Sequence, residues 1–187
     1  MLPYISRPSG FMMSSPKRRL TVLFALLMCP VGCDQTSKHI ARVELSRLGS
    51  VRLPVGEFRL AENRGSFLSL GDSLPDSFRL ALLTVAVGLA LLWLFVHLIL
   101  ARPSSWLSFI GLGAIWAGGI SNLLDRIFRQ GRVTDFIFIS VGPVHTGIFN
   151  AADVMIMIGI AAIAFGLCRR RYGPRSGKHE GLDDTPV

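Results

Sequence analysis

The strongest constraint on this chain is an uncharged apolar run, "LALLTVAVGLALLWLFVHLILA", which occupies residues 80–101. His97 is the only ionisable side chain within it. A helix of about 20 apolar residues is long enough to cross the hydrocarbon core of a bilayer. The run therefore predicts a membrane-spanning helix.

Three more apolar blocks of similar length lie at about residues 20–40, 106–124 and 149–168. The hydrophobic content of 50% is also high for a soluble domain. We predict a membrane α-helical fold with four transmembrane helices, which form a single four-span membrane domain over residues 17–171. The polar ends, residues 1–16 and 172–187, are expected to form a disordered cytoplasmic lead and tail.

Clusters of basic residues predict the orientation. Lys17-Arg18-Arg19 precedes the first span and Arg169-Arg170-Arg171 follows the fourth, and basic residues favour the cytoplasmic side. Both termini are therefore expected in the cytoplasm, with residues 42–79 and 125–148 on the outer side. The net charge of +8 suits contact with membrane phospholipid. Nucleic acid is not an expected partner, because the basic residues lie at span ends and not on one soluble face.

The two outer segments carry alternating apolar residues. We interpret "VRLPVGEFRL" as one strand with a bulge or kink near Gly56. "VTDFIFISVGPVHTGIF" predicts a strand at Phe136–Val141, a Gly-Pro turn and a second short strand. A small β element resting on the four helices follows from these patterns.

The stretch "LLMCPVGCDQTSKHIA" also resembles the end of a lipoprotein leader, with Cys33 as the residue to be lipidated. Pro30 stands where such a leader has an apolar residue, and three more spans follow. We therefore interpret the stretch as an uncleaved first helix. The three cysteines lie in apolar spans and are expected to be small buried residues, with no disulfide framework.

Ionisable residues at the margins of spans are costly and are therefore functional candidates; they are Asp34, Lys38, Asp125, Arg126, Asp135 and Asp153. Asp153 lies one turn into the fourth span. The alternative role for it is helix capping, with Asn150 as N-cap and Asp153 at the third helical position.

Asp135 opens an apolar strand about eighteen residues before Asp153. A hairpin between the two would return to its start and place both carboxylates together at the membrane surface. Such carboxylates cannot both ionise easily, so one keeps a proton. One can then activate water while the other protonates the substrate, which is the chemistry of an aspartic protease.

A third signal is "GGISNLLDR", residues 118–126, in which the glycines allow close helix approach. Asn122, Asp125 and Arg126 share one helix face. A simple salt bridge at the helix end is the alternative to a role in the site. No HExxH, Cys/His metal spacing or GxSxG occurs, and neighbouring Ser37 and Lys38 point apart on a helix. These patterns therefore give no indication of a zinc site or of a serine hydrolase.

Five stretches in this order resemble the bacterial lipoprotein signal peptidases, which are the type II signal peptidases. They are "DQTSK" (34–38), "ENRGSF" (62–67), "GGISNLLDR" (118–126), "VTDFI" (133–137) and "FNAAD" (149–153). The resemblance covers about residues 20–168, and it implies neither a metal nor an organic cofactor. It implies a membrane aspartic endopeptidase of the bacterial inner membrane, with four transmembrane helices, a small extracytoplasmic β-cradle and its active site at the outer face.

The implied partner is a lipid-modified prolipoprotein, cut just before its diacylglyceryl-modified cysteine, and we expect the enzyme to act as a monomer. By motif position, Asp135 and Asp153 resemble the catalytic dyad. The resemblance implies supporting roles for seven more residues: Asn63 and Gly65 in substrate contact, Asn122 and Arg126 in positioning the peptide backbone, Asn150 in orienting the dyad, and Asp34 and Lys38 as a structural pair.

Two positions depart from the family pattern. Only Ser66 precedes Phe67, where two small residues are common, and Ser121 stands where glycine is usual.

Two other kinds of protein place carboxylates within the membrane: a proton-coupled transporter, and a membrane scaffold in which the aspartates only cap helices. The absence of a broken-helix repeat argues against the transporter.

Overall fold

The computed structural model of the protein describes residues 15–64, 81–100 and 105–172, together with positions 75 and 78. Within these ranges, four helices are long and apolar enough to cross a membrane. They are α1 (Pro16–Leu48), α2 (Leu82–Leu100), α3 (Trp106–Phe128) and α4 (Ala151–Tyr172). A small sheet accompanies them, so the predicted fold class is confirmed. Most of the predicted lead and tail lies outside the described residues.

Helix α1 is longer than the apolar block predicts, because it continues past residue 40 to Leu48. Its 33 residues make it about 50 Å long, well beyond a hydrocarbon core of about 30 Å. The extra turns bury Ala41 and Leu45 against Phe136 of the sheet. The helix ends at Leu48, and the following residue, Gly49, has a φ of +77°, a conformation that glycine adopts readily.

One turn of α1, Leu27–Val31, is π-helical and contains Pro30. Proline has no backbone N–H and clashes with the preceding turn of an α-helix, so a widened turn accommodates it. From Gly32 to Leu48 the backbone is α-helical again. The first span is thus one continuous helix through the stretch that resembled a cleavage site.

The sheet has four strands in the order β1-β2-β3-β4. The strands are β1 (Ser50–Leu53), β2 (Gly56–Asn63), β3 (Val133–Val141) and β4 (Val144–His145). All neighbouring strands pair antiparallel. The predicted strand and short partner in the second segment are confirmed.

The prediction of one kinked strand over "VRLPVGEFRL" is wrong. The chain reverses before Gly56, so β1 and β2 form a hairpin in which Val51 pairs with Phe58. A Cβ at Gly56 would lie 2.1 Å from the backbone oxygen of Phe138, so glycine is required there. The bulge lies farther along, between Phe58 and Ala61.

The bundle is packed by apolar side chains from three helices and by glycines between α3 and α4. Its buried cluster consists of Leu23, Leu91, Leu94, Leu98, Phe109 and Trp116. Gly111 and Gly159 face each other so closely that a Cβ on either would meet the other's backbone oxygen at 2.9 or 2.5 Å. The expectation of buried cysteines is wrong, since Cys29, Cys33 and Cys168 are exposed along the helices.

Candidate active site

The structure brings Asp135 and Asp153 together through one asparagine. Asp135 lies near the start of β3, and Asp153 lies in the first turn of α4. The β3–β4 segment returns to its start, because the backbone of Phe149 is hydrogen-bonded to that of Ile137 in both directions, at 2.9 and 3.0 Å. This return places Asn150 beside β3, where its Nδ2 donates to Asp135 Oδ1 at 2.6 Å.

Asp153 has both a capping bond and a bond across the bundle. The backbone N–H of Asn150 donates to Asp153 Oδ2 at 3.0 Å, and the N–H of Asp153 donates to Asn150 Oδ1 at 3.1 Å. This is the reciprocal arrangement of a capping box. Asp153 Oδ1 accepts from Asn122 Nδ2 at 2.9 Å. The capping alternative is therefore present, and it coexists with the site.

Lys38 is the charged centre beneath the two carboxylates, and its side chain is fully buried. Its Nζ donates to Asn122 Oδ1 at 2.8 Å and lies 2.7 Å from Asp34 Oδ2. An ammonium group can only donate hydrogen bonds. Lys38 therefore fixes the amide of Asn122 with its oxygen toward the lysine, which leaves Nδ2 to face Asp153.

A second branch runs from Lys38 to the strand that carries Asp135. Asp125 Oδ2 lies 3.2 Å from Lys38 Nζ and accepts the backbone N–H of Thr134 at 3.1 Å. Arg42 donates to Thr134 Oγ1 at 2.9 Å. Because Thr134 directly precedes Asp135, both carboxylates are tied to the same buried lysine.

Asp34 joins α1 to the other two helices of the site. Its Oδ1 accepts the backbone N–H of Ala152 at 2.8 Å, and its Oδ2 accepts the hydroxyl of Ser121 at 2.6 Å. Gln35 in turn donates to Ser121 Oγ at 2.9 Å. A buried ion pair is stable only when its remaining hydrogen-bonding capacity is filled, and these contacts fill it.

The surroundings of Asp135 raise its affinity for a proton. Burial raises the pKa of its carboxyl to about 6, against the opposing effect of hydrogen bonds from Asn150 and Asn63, and the nearby charge of Asp153 adds to the rise. A carboxylate pair of this kind can hold a single proton, and its titration belongs to the pair. It can then offer both an acid and a base to a substrate.

Asn63 and Arg126 complete the described part of the site. Asn63, at the end of β2, donates from Nδ2 to Asp135 Oδ2 at 3.1 Å. Arg126 lies within electrostatic reach of both Asp135 and Asp153. Its buried Nε has no hydrogen-bond partner among the described residues. Asp125 lies 3.2 Å from Lys38 Nζ and 3.9 Å from Arg129 Nε, and no salt bridge to Arg126 is found among the described residues.

The sequence did not identify every residue of this network. Gly65 and the shortened loop at Ser66 lie outside the described residues. Thr134, Gln35 and Arg42 contribute contacts that no local pattern indicated, since each meets a partner more than eighty residues away or through its backbone. No group of His, Cys, Asp and Glu suited to a metal ion occurs in the part of the chain that the structure describes.

Comparison with known proteins assigns this arrangement to a family. The family model for signal peptidase II matches residues 25–169, which contain every described residue of the site. The chain belongs to the signal peptidase II family. It is therefore a peptidase, and membership favours this function over a proton-coupled transporter.

Individual relatives agree with the family model. A lipoprotein signal peptidase of Aquifex aeolicus is 37% identical over 59% of this chain and 64% of its own length. That of Desulforapulum autotrophicum is 34% identical over 72% of this chain and 84% of its own length. A solved bacterial membrane enzyme has a similar fold, with a TM-score of 0.68 at 19% identity over 85% of this chain and 94% of that one. The chain is a multi-pass membrane protein.

Proposed function

We propose that this peptidase removes the signal peptide from diacylglyceryl-modified prolipoproteins and cuts just before the lipidated cysteine. Membership of the signal peptidase II family supports the substrate class, and the named relatives are lipoprotein signal peptidases. The observation that carries the chemistry is the contact network in which Asn150 bonds Asp135 and caps Asp153.

In the proposed mechanism, the pair Asp135–Asp153 holds one proton. The ionised carboxylate takes a proton from a water molecule, whose oxygen attacks the carbonyl carbon of the scissile peptide bond. The protonated carboxyl donates its proton to the carbonyl oxygen, which gives a tetrahedral intermediate with two hydroxyl groups. The carboxyl that took the proton from water then passes it to the amine nitrogen as the C–N bond breaks, and the other carboxylate takes a hydroxyl proton as the C=O bond re-forms. The raised pKa of Asp135 supports Asp135 as the proton holder and Asp153 as the base.

The remaining side chains position the substrate and the pair. The guanidinium of Arg126 has a buried, unpartnered Nε among the described residues and lies near both carboxylates, which suits a role in holding a substrate carbonyl. Asn63 and Gly65 are proposed to contact the substrate from the sheet side. Asn122 and Asn150 keep the two carboxylates in register.

We place the enzyme in the bacterial inner membrane with both termini in the cytoplasm and the active site at the outer face. The basic clusters at residues 17–19 and 169–171 support this orientation. Asp153 lies in the first turn of α4, at the bundle end that joins the sheet, where a lipid-anchored cysteine meets it without leaving the bilayer. Such anchoring makes the encounter nearly intramolecular. We further propose that a monomer, surrounded by phospholipid, is sufficient for cleavage.

The test replaces each carboxylate by its amide. Asp135→Asn and Asp153→Asn are expressed separately in cells depleted of their own lipoprotein signal peptidase, and processing of diacylated prolipoprotein is followed by gel shift. Each variant should insert at the normal level and leave the prolipoprotein uncut. Glu57→Gln is the control, because Glu57 lies on the same sheet but pairs with Arg59. Wild-type processing by either aspartate variant would refute the dyad.

A further inference from the structure

A second feature of the bundle is an apolar cleft of about 540 Å³ beside the N-terminal half of α1. Its lining residues come from three helices: Leu20, Thr21, Leu23, Phe24, Leu27, Phe95 and Trp116. Clefts that hold small organic ligands have volumes of roughly 300–1,000 Å³. The cleft is thus large enough for a ligand and belongs to a different part of α1 from the residues of the site.

The chemistry of the cleft is that of hydrocarbon. Leu23 and Trp116 form a buried floor, with Phe95 stacked on Trp116 at 5.2 Å between ring centroids. Leu20 and Phe24 are about half exposed and form its outer wall. The hydroxyl of Thr21 already donates to the backbone oxygen of Lys17 at 3.1 Å. The lining therefore favours a ligand segment without polar groups.

Lys17 lies on α1 just before the residues that line the cleft. Lys17 is exposed and precedes Thr21 and Phe24 by four and seven residues, so all three share one helix face. Helical side chains lean toward the N-terminus, and a lysine extends its charged end toward the membrane surface. The molecule that fits combines an apolar chain with an anionic head, separated by about two helical turns.

We propose that the cleft binds one acyl chain of an anionic phospholipid, whose phosphate contacts Lys17. The lipid belongs to the leaflet that borders the N-terminal end of α1. From Leu20 to Leu27 the cleft extends about 10 Å into that leaflet. Asp34 and Lys38 lie farther along the same helix, so this lipid site is separate from the carboxylate pair and does not depend on the proposed reaction.

Trp116 provides the measurement, because it forms the floor of the cleft. Trp93→Phe and Trp106→Phe leave Trp116 as the single tryptophan. This protein is reconstituted in phosphatidylcholine bilayers to which one of two lipids is added in increasing fractions: phosphatidylglycerol or phosphatidylcholine, each brominated on its acyl chains. Bromine quenches the fluorescence of a tryptophan that it contacts, so the fluorescence of Trp116 reports the lipid in the cleft. Brominated phosphatidylglycerol should reach half-maximal quenching at about one fifth of the fraction that brominated phosphatidylcholine requires, the factor expected from one lysine near an anionic surface.

Two variants separate a site from the general lipid shell. Lys17→Gln should remove the preference for phosphatidylglycerol, and Thr21→Phe should fill the cleft and reduce quenching by both lipids. Leu92→Phe is the matched control, since Leu92 is exposed on α2 outside the lining, and it should change neither curve. Equal quenching by the two lipids, or an unchanged preference in Lys17→Gln, would mean that Trp116 is quenched only by the lipid shell that surrounds any membrane protein. Either result would overturn the proposal.

Discussion

Lys38 donates a hydrogen bond to the side-chain oxygen of Asn122 at 2.8 Å, although the two residues are 84 positions apart in the chain. The same asparagine donates to Asp153 and accepts from Asn150 at 3.2 Å. Because an ammonium group has no acceptor, it sets the direction of the bonds above it. The buried lysine thereby orients amide N–H groups toward the carboxylates that we propose to be catalytic.

Replacing Lys38 by methionine tests this role. The variant leaves Asp34 and Asp125 buried without their cation, and we expect a loss of about 3–5 kcal/mol in the free energy of unfolding. Below its melting temperature, kcat should fall about 100-fold because the pair is misplaced. KM should change little, since Lys38 is fully buried and offers no surface to substrate. Arg47→Met, at an exposed basic residue of the same helix, serves as control; an unaltered kcat in Lys38→Met would contradict the role.

A substitution at Gly118 tests how closely α3 must approach α4. A Cβ there would lie 2.6 Å from the backbone oxygen of Ala152, directly before Asp153. Gly118→Ala should therefore push the start of α4 away from Asn122, with a cost of about 1–3 kcal/mol in stability and a fall in kcat of about 100-fold. At Gly32 a Cβ meets nothing within 4 Å, so Gly32→Ala should retain activity. The assay is cleavage of a lipidated peptide, together with thermal unfolding in detergent; equal activity of the two variants would refute the requirement.

Ser121 tests a contact that departs from the family pattern. Its fully buried hydroxyl donates to Asp34 at 2.6 Å, and a hydrogen bond to a charged group contributes about 1.5–3 kcal/mol. Ser121→Ala should lower the free energy of unfolding by about that amount. Activity should stay within a few-fold, because Lys38 still holds Asp34. Urea or thermal unfolding measures the change, and equal stability of variant and parent would show that the contact contributes nothing.

The pH dependence of cleavage follows from the raised pKa of Asp135. Below about pH 6 its carboxyl keeps the proton that the proposed acid must donate, and as pH rises through about 6 that proton is lost. We expect kcat/KM to fall on the alkaline side, approaching tenfold per pH unit. The bond from Asn63 lowers the pKa of Asp135, so Asn63→Ala should move this alkaline limb to higher pH. Glu57→Gln should leave the limb in place, and a limb unmoved by Asn63→Ala would contradict the assignment.

The four spans, the strand with its short partner between α3 and α4, and the identity of the polar residues could be predicted from the amino-acid order. Their signals are local: a bilayer demands about 20 apolar residues in a row, and a carboxylate at a span margin is costly wherever it lies. The same reasoning misjudged "VRLPVGEFRL", because the pairing of β1 with β2, in which Val51 lies opposite Phe58, forms only when the chain folds back on itself.

Only the tertiary structure decided how those polar residues are connected. Lys38, Asn122 and Asp153 come from three different helices, and Asp125 reaches the backbone of Thr134 on a strand. A sequence pattern records spacing along one element, whereas the direction of a hydrogen bond depends on which donor lies opposite which acceptor after packing. The burial of Lys38 and the direction of its hydrogen bonds therefore depend on the packing of α1 against α3 and α4.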